Sequence, residues 1–308
     1  MKAERLPSGA TMIGFGSALP DKVVTNADLE VRLDTSDDWI IERTGIRERR
    51  IGGTTSGLAA EAGRRAMQDA GVGAEDIDAV ILATTTPDQV MPQTASTVQD
   101  QLGIRGGAFD LNAACSGFVY GLVVAHGLVA VGMERVLLIG AETLSTIVDW
   151  EDRTTAVIFA DGAGAAVVER TDGPGELLGF DLGSDGSGRH LITADHGGYL
   201  RMEGREVYRQ AVRIVVDSAR AALDRAGVDA TEIELVIPHQ ANIRIIEAAT
   251  SRLGIPMERT VDVLSWTGNT SAASIPIAIV AARDEGRLHP GAKVLVCGFG
   301  AGRGGATA

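Results

Sequence analysis

The chain has 308 residues, and 28 Lys and Arg against 41 Asp and Glu give a net charge of −13, which argues against nucleic acid or an anionic membrane as its main partner. With 45% hydrophobic residues, 22% charged residues and 39 glycines, it has the apolar mass for a large globular core, the length for about two domains, and too many small residues for a coiled coil. Cys115 and Cys297 lack CxxC spacing and frame no disulfide scaffold, and the opening MKAERLPSGA has no apolar run of signal-peptide length, so a reducing, cytoplasmic location is expected.

Taken in chain order, GFGSALP (14–20) has two glycines of a dinucleotide-binding loop, but Pro20 blocks the helix that would hold a pyrophosphate. The segment 56–72 has helical periodicity, and AVILATTT (79–86) reads as a buried strand. The apolar stretch from Cys115 to Gly132, broken by His126 and several glycines, falls short of a membrane span and reads as a buried helix. Strands follow at RVLLIGAE (135–142) and GAAVVE (164–169), a helix at 205–228, a strand at ELVIPHQ (234–240), a helix at 243–254 and a strand at KVLVCGFG (293–300). The alternation predicts an α/β architecture with covered sheets.

Sliding the chain against itself by 156 residues lays Ala66–Val72 over Ala222–Val228, and LNAACSGF (111–118) over TGNTSAAS (267–274). A period this long is not that of a solenoid. It predicts two halves of related fold about a pseudo-twofold axis, residues 1–172 and 173–308, meeting at the turn-rich Thr171–Gly175.

Three clusters could carry chemistry. Cys115 opens an apolar helix, where free N–H groups and the positive end of the dipole favour a thiolate nucleophile, although a small buried hydrophobe would also suit the position. His239 stands at a strand end, where α/β sites are built, or is an ordinary hydrogen-bonded histidine. Asn269 is either a functional amide or a helix N-cap. At the 156-residue offset it lies within two positions of the counterpart of Cys115, so both helix starts should approach the same axis. His126, His190, His196 and His289 have no metal-like spacing, and no metal is expected.

Together these segments resemble the β-ketoacyl-acyl carrier protein synthase III family of the thiolase-like superfamily. TNADLE (25–30), DTSDDWI (34–40), RTGIRERR (43–50), NAACSGF (112–118), DRTTAVIFADGAGAAV (152–167), EGREVYRQAV (203–212), IPHQANIRI (237–245) and TGNTSAASIP (267–276) occur in the family's order across nearly the whole chain. The resemblance implies a duplicated five-layer αβαβα fold. It implies decarboxylative condensation of an acyl-CoA primer with malonyl-acyl carrier protein, in fatty acid or polyketide initiation, with Cys115 acylated and His239 and Asn269 holding the enolate. The backbone amides of Cys115 and Ala301 would form the oxyanion hole. Coenzyme A is then a substrate thioester, and no cofactor is needed.

Further roles carry over by the same likeness. Trp39 and Arg153 would sandwich the adenine, with Arg43 and Asn242 along the pantetheine and phosphate path. Arg209, Arg213, Arg244 and Arg252 would receive an acidic carrier protein. Met91, in the loop 84–96, would reach the partner's acyl pocket in a homodimer. The chain departs from the family after GFGAG: it ends RGGATA, without the usual closing strand, and Arg303 replaces an apolar residue near the acyl pocket. An acyltransferase to oxygen or nitrogen with the same Cys and His, or a weakly active member with an incomplete C-terminus, are the alternative readings.

Overall fold

The computed structural model describes residues 9–301 and 304–308. Strands Gly9–Ala18 (β1), Ala79–Ala83 (β2), Gly107–Leu111 (β3), Arg135–Thr143 (β4) and Asp161–Thr171 (β5) form a five-stranded sheet in the order β1-β5-β4-β2-β3. Strands Asp181–Gly183 (β6), Leu235–Pro238 (β7), Val294–Gly300 (β8) and Gly304–Thr307 (β9) form a four-stranded sheet in the order β7-β8-β9-β6. The helices that frame the site are Asp37–Thr44 (α1), Thr55–Ala70 (α2), Gly117–Ala130 (α3), Gly204–Ala226 (α4), Ile243–Leu253 (α5) and Ser274–Asp284 (α6).

The two sheets have one plan. β2 and β4 pair in parallel, β4 and β5 antiparallel, and β5 and β1 antiparallel. In the second sheet β7 and β8 pair in parallel, β8 and β9 antiparallel, and β9 and β6 antiparallel. Among the described residues the second sheet lacks only a counterpart of edge strand β3; in its place a parallel bridge joins Val236 to Thr260. Side chains of α3 and α6, including Phe118, Leu122, Ile275 and Ile279, share one buried cluster with both sheets, so these two helices are the central layer.

The short chain end carries a correction. No closing strand was expected, yet β9 is present, with Cys297 opposite Thr307 and Gly305 opposite Gly183. Gly-Gly-Ala-Thr has weak strand propensity and no apolar run to announce it. Its smallness is nevertheless required, because a Cβ on Gly305 would lie 2.5 Å from Ile214 Cγ2 on α4. The slot beside β8 is filled, and weak activity cannot be argued from an open one. Arg303 lies outside the described residues.

The glycines of GFGSALP have a related cause. They belong to β1, which was not foreseen, and a Cβ on Gly14 would lie 2.5 Å from the backbone of Ala66 and of Ala70 on α2. Gly179, just before β6, approaches Ala222 and Ala226 on α4 in the same way, at 2.6 and 2.7 Å. Ala66 and Ala222, like Ala70 and Ala226, are 156 residues apart. The glycines therefore let each sheet touch its outer helix at an equivalent place.

Candidate active site

Cys115 sits in a one-turn 3₁₀ segment, Ala114–Ser116, that leads into α3. Ala114 before it has φ 47°, and Ser271 before α6 has φ 48°. These are the only non-glycine positive-φ residues among those described, and they lie 157 residues apart. The register therefore slips by one between the outer helices and the central pair. Asn112 is the counterpart of Asn269, and Cys115 that of Ala272, which corrects the spacing expected from the ungapped repeat. Asn112 Oδ1 accepts from the Ala114 amide at 3.2 Å, and Asn269 Oδ1 from the Ser271 amide at 2.9 Å, so each asparagine closes the turn two residues on.

Asn269 is fixed from both sides, its amide donating to Ile158 O at 3.0 Å and its carbonyl accepting from the Ala160 amide at 2.9 Å. Gly268 before it has φ 66°, with its Cβ position only 3.0 Å from the Ala160 side chain, so glycine is needed to set the amide group here. With Oδ1 committed to the turn, Nδ2 is the donor that Asn269 has to offer.

His239 follows β7 and is 2% exposed. Its amide donates to Cys297 O at 2.7 Å, its ring meets Phe299 edge-on at 5.2 Å, and Nδ1 lies 2.7 Å from Ser274 Oγ. Ser274 Oγ accepts from the Gln240 amide at 3.3 Å, which leaves its own proton free to donate to Nδ1, the arrangement that goes with the imidazole proton on Nε2. Burial pushes the His239 pKa down to about 3, which keeps the ring neutral.

Cys115, His239 and Asn269 thus meet on one segment, 269–274. The Cys115 sulfur and Asn269 Oδ1 bond to Ser271, and His239 bonds to Ser274. Across the site Gly300, the residue before Ala301, is pressed so close that a Cβ there would lie 2.8 Å from the Cys115 nitrogen.

Burial raises the Cys115 thiol to about 12, opposed by hydrogen bonds from Ser271 and its own backbone. Burial and the helix terminus therefore act on the Cys115 sulfur in opposite directions. Cys297 is also raised by burial, to about 12, and lies mid-strand among apolar neighbours.

At the rim, Arg43 and Arg153 both lie over the Trp39 ring, at 5.4 and 5.3 Å from its centroid, and Arg153 Nη1 reaches Asp34 O at 2.5 Å. The three residues named for the nucleotide end are thereby together, and an adenine entering between Trp39 and Arg153 would replace one cation–π contact with two stacked faces. Asn242 is committed elsewhere: Oδ1 caps α5 through the Arg244 amide at 3.0 Å, and Nδ2 donates to Arg43 O at 2.8 Å. It positions Arg43.

Arg209 and Arg213 on α4 and Arg244 and Arg252 on α5 are all exposed. Arg209 pairs with Glu206 at 3.0 Å, and Arg244 lies over Tyr208. Among the described residues Arg213, Arg244 and Arg252 have no ion-pair partner. Met91 is 86% exposed. Sequence reasoning missed Ser271, Ser274 and Glu142. The hydroxyls are two of several small residues in TGNTSAAS, and Glu142 shows only as an acid closing an apolar strand.

A family model for 3-oxoacyl-(acyl-carrier-protein) synthase III matches residues 109–186, and its C-terminal model matches residues 223–308. A β-ketoacyl-acyl-carrier-protein synthase III of Erythrobacter litoralis is 50% identical over 308 residues, covering 95% of this chain and 96% of its own. The chain belongs to the 3-oxoacyl-(acyl-carrier-protein) synthase III family. Among solved structures, the synthase III of Aquifex aeolicus superposes with a TM-score of 0.95 at 46% identity, covering 97% of this chain and 98% of its own. The priming β-ketosynthase of a polyketide biosynthetic pathway superposes with a TM-score of 0.92 at 35% identity, covering 99% and 97%. The fold is therefore the thiolase-like duplication that the repeat foreshadowed.

Proposed function

We propose that this synthase III condenses an acyl-CoA primer with malonyl-acyl carrier protein through an acyl-cysteine on Cys115. The convergence of Cys115, His239 and Asn269 on segment 269–274 carries the reading. Cys115 attacks the primer thioester, and the amides of Cys115 and Ala301 take up the developing oxyanion, each such donor being typically worth about 2.7–4 kcal/mol. Coenzyme A leaves as the thiol. Malonyl thioester then loses carbon dioxide, and His239 Nε2–H and Asn269 Nδ2–H hold the enolate oxygen while its carbon attacks the acyl-cysteine, whose C–S bond breaks to release 3-oxoacyl-carrier protein and the Cys115 sulfur, which regains a proton from solvent. A histidine held neutral by burial suits this task, because a neutral donor stabilises the enolate without protonating it.

The chain would act in the cytoplasm as two halves, 1–172 and 173–308, and among the described residues no helix is long and apolar enough to cross a membrane. The exposed arginines of α4 and α5 would receive the carrier protein. A homodimer is supported by edge strand β3, which among the described residues pairs only with β2 and exposes Phe109, and by Val90 and Met91 on the neighbouring loop. Met91 would reach the partner's acyl pocket; Met91→Phe should then shorten the primers accepted, and an unchanged chain-length profile would remove it from the pocket.

The test is carbon dioxide release from malonyl-carrier protein, alongside mass spectrometry of the Cys115 peptide after exposure to acetyl-CoA. Release that depends on both His239 and Asn269, with an acyl adduct on Cys115, supports condensation. Product on an alcohol or amine with no malonyl thioester present would favour simple acyl transfer.

A further inference from the structure

The turn that carries Asn269 is held from two sides. On one, Glu142 at the end of β4 accepts from Ser271 Oγ at 2.9 Å. On the other, segment 157–160 makes both main-chain bonds of Asn269, through Ile158 O and the Ala160 amide. Against that segment lies a buried cation that the condensation does not use. Arg49, in the antiparallel ribbon of Val23–Thr25 and Glu48–Arg50, is 0% exposed. Its guanidinium bonds to neutral oxygens. Nη2 donates to Val157 O and Asn26 Oδ1, both at 2.9 Å, and Nη1 donates to Asn26 Oδ1 at 2.9 Å and Val24 O at 3.2 Å. Nε is buried and has no hydrogen-bond partner among the described residues. Asn26 is pinned in turn, its Nδ2 donating to Asp37 Oδ1 and Ile46 O, each at 2.8 Å. The stem of Arg49 is engaged as well, since a Cβ on Gly268 would lie 3.1 Å from the Arg49 Cβ and 3.0 Å from that of Ala160. Desolvating a charge without a counter-ion is costly, so a buried guanidinium held by carbonyls calls for a task that an apolar side chain would not perform.

We infer that Arg49 is a positioning residue for the condensation, bracing segment 157–160 and Gly268 together so that Asn269 Nδ2 is aimed at the enolate oxygen. The guanidinium fixes Val157, one residue before Ile158, and the stem backs Gly268, one residue before Asn269. The two pieces of backbone that the Asn269 bonds join are thus held by a single side chain at adjoining points. A planar fork suits this place, because it reaches Val157 on one side and Asn26 on the other without rotating; a lysine ammonium lacks that fixed geometry, and an apolar side chain has no donor. The brace acts on one half-reaction. Among its bonds none goes to segment 114–116 or to Ala301, where the primer would be taken up, so a slackened Asn269 should cost decarboxylation and leave acylation alone.

The inference rests on the reading of Asn269 as an enolate donor, so Asn269→Ala is measured beside the Arg49 variants. In the full-length protein, carbon dioxide release from malonyl-carrier protein and single-turnover acylation of Cys115 at saturating acetyl-CoA would be followed below the thermal transition of every variant. Arg49→Met, which keeps an unbranched stem and loses the fork, should lower release about tenfold and leave acylation at the parent rate, because a small misplacement of a group at the reacting atoms is enough for a loss of that size. Arg49→Lys, which keeps the stem and the charge, should fall between Arg49→Met and the parent; it carries the test by itself should Arg49→Met not fold. Release at the parent rate in the Arg49 variants, with release lost in Asn269→Ala, would overturn the inference and spare the enolate reading. Acylation that falls in step with release in the Arg49 variants would also overturn it, since a general loosening of the fold moves both. Release untouched by Asn269→Ala would sink the enolate reading and the inference with it.

Discussion

The turn before α3 and the turn before α6 are the same piece of backbone used twice. Each has an asparagine closing it, a left-handed residue two positions on, and a helix running into the central layer. Their side chains have parted. The first turn carries Cys115 where the second carries Ala272, and the second adds Ser274, which holds His239 Nδ1. Duplication thus supplied two equivalent strained turns, and in the proposed reaction one would serve the primer and the other the enolate.

That division can be broken first at the nucleophile. Cys115→Ala should lower condensation by about 10⁴-fold or more, the scale seen when a covalent nucleophile is deleted. Decarboxylation of malonyl-carrier protein should persist, because the second turn is untouched; loss of both together would show that the turns do not act separately.

The next effect is smaller and lies on the second turn. Ser274→Ala removes the hydroxyl that holds His239 Nδ1 and should cost about tenfold in condensation, a single hydrogen bond being worth about 0.5–1.5 kcal/mol. Single-turnover acylation of Cys115 should be unchanged, and a matching loss there would place Ser274 in both steps.

The outer contacts sharpen the same comparison through stability. Gly14→Ala forces a Cβ between β1 and the backbone of α2 and should destabilise by about 1–3 kcal/mol. Gly179→Ala should cost less, because Gly179 precedes its strand and can shift; both are read from the thermal midpoint. Equal losses would mean that the second contact is as rigid as the first.

The weakest expected signal is an absence. Burial pushes the His239 pKa down to about 3, so the condensation rate should show no acid limb around pH 6.5. Its effect falls on stability instead. Between about 3 and the ordinary histidine value the unfolded chain binds a proton that the folded site refuses, so this residue's contribution erodes as pH falls through that window. A rate limb near 6.5 that vanishes in His239→Ala would contradict the neutral assignment.

Much of this was legible in the sequence. The helix-Ala-Gly-Val unit at a 156-residue spacing predicted two halves, and the family resemblance carried by the NAACSGF, IPHQAN and TGNTSAAS motifs implied which residues would work together. What escaped did so for physical reasons. Strand β9 is built of small residues because α4 leaves no room for larger ones, and small residues look like a loop. The one-residue slip between outer and central elements is invisible to an ungapped match, which placed Cys115 opposite Ser271 instead of Ala272. The burial that pushes the Cys115 thiol up, against the helix terminus, cannot be read from local sequence.

The separation of the two half-reactions between the two turns is tested most directly by single-turnover acylation and carbon dioxide release in Asn269→Ala. The account predicts that acetyl-CoA acylates Cys115 at the parent rate while carbon dioxide release falls by about 10²–10³-fold, the typical effect of losing one oxyanion donor. Acylation that falls in step with release, or release that continues at the parent rate, would contradict it.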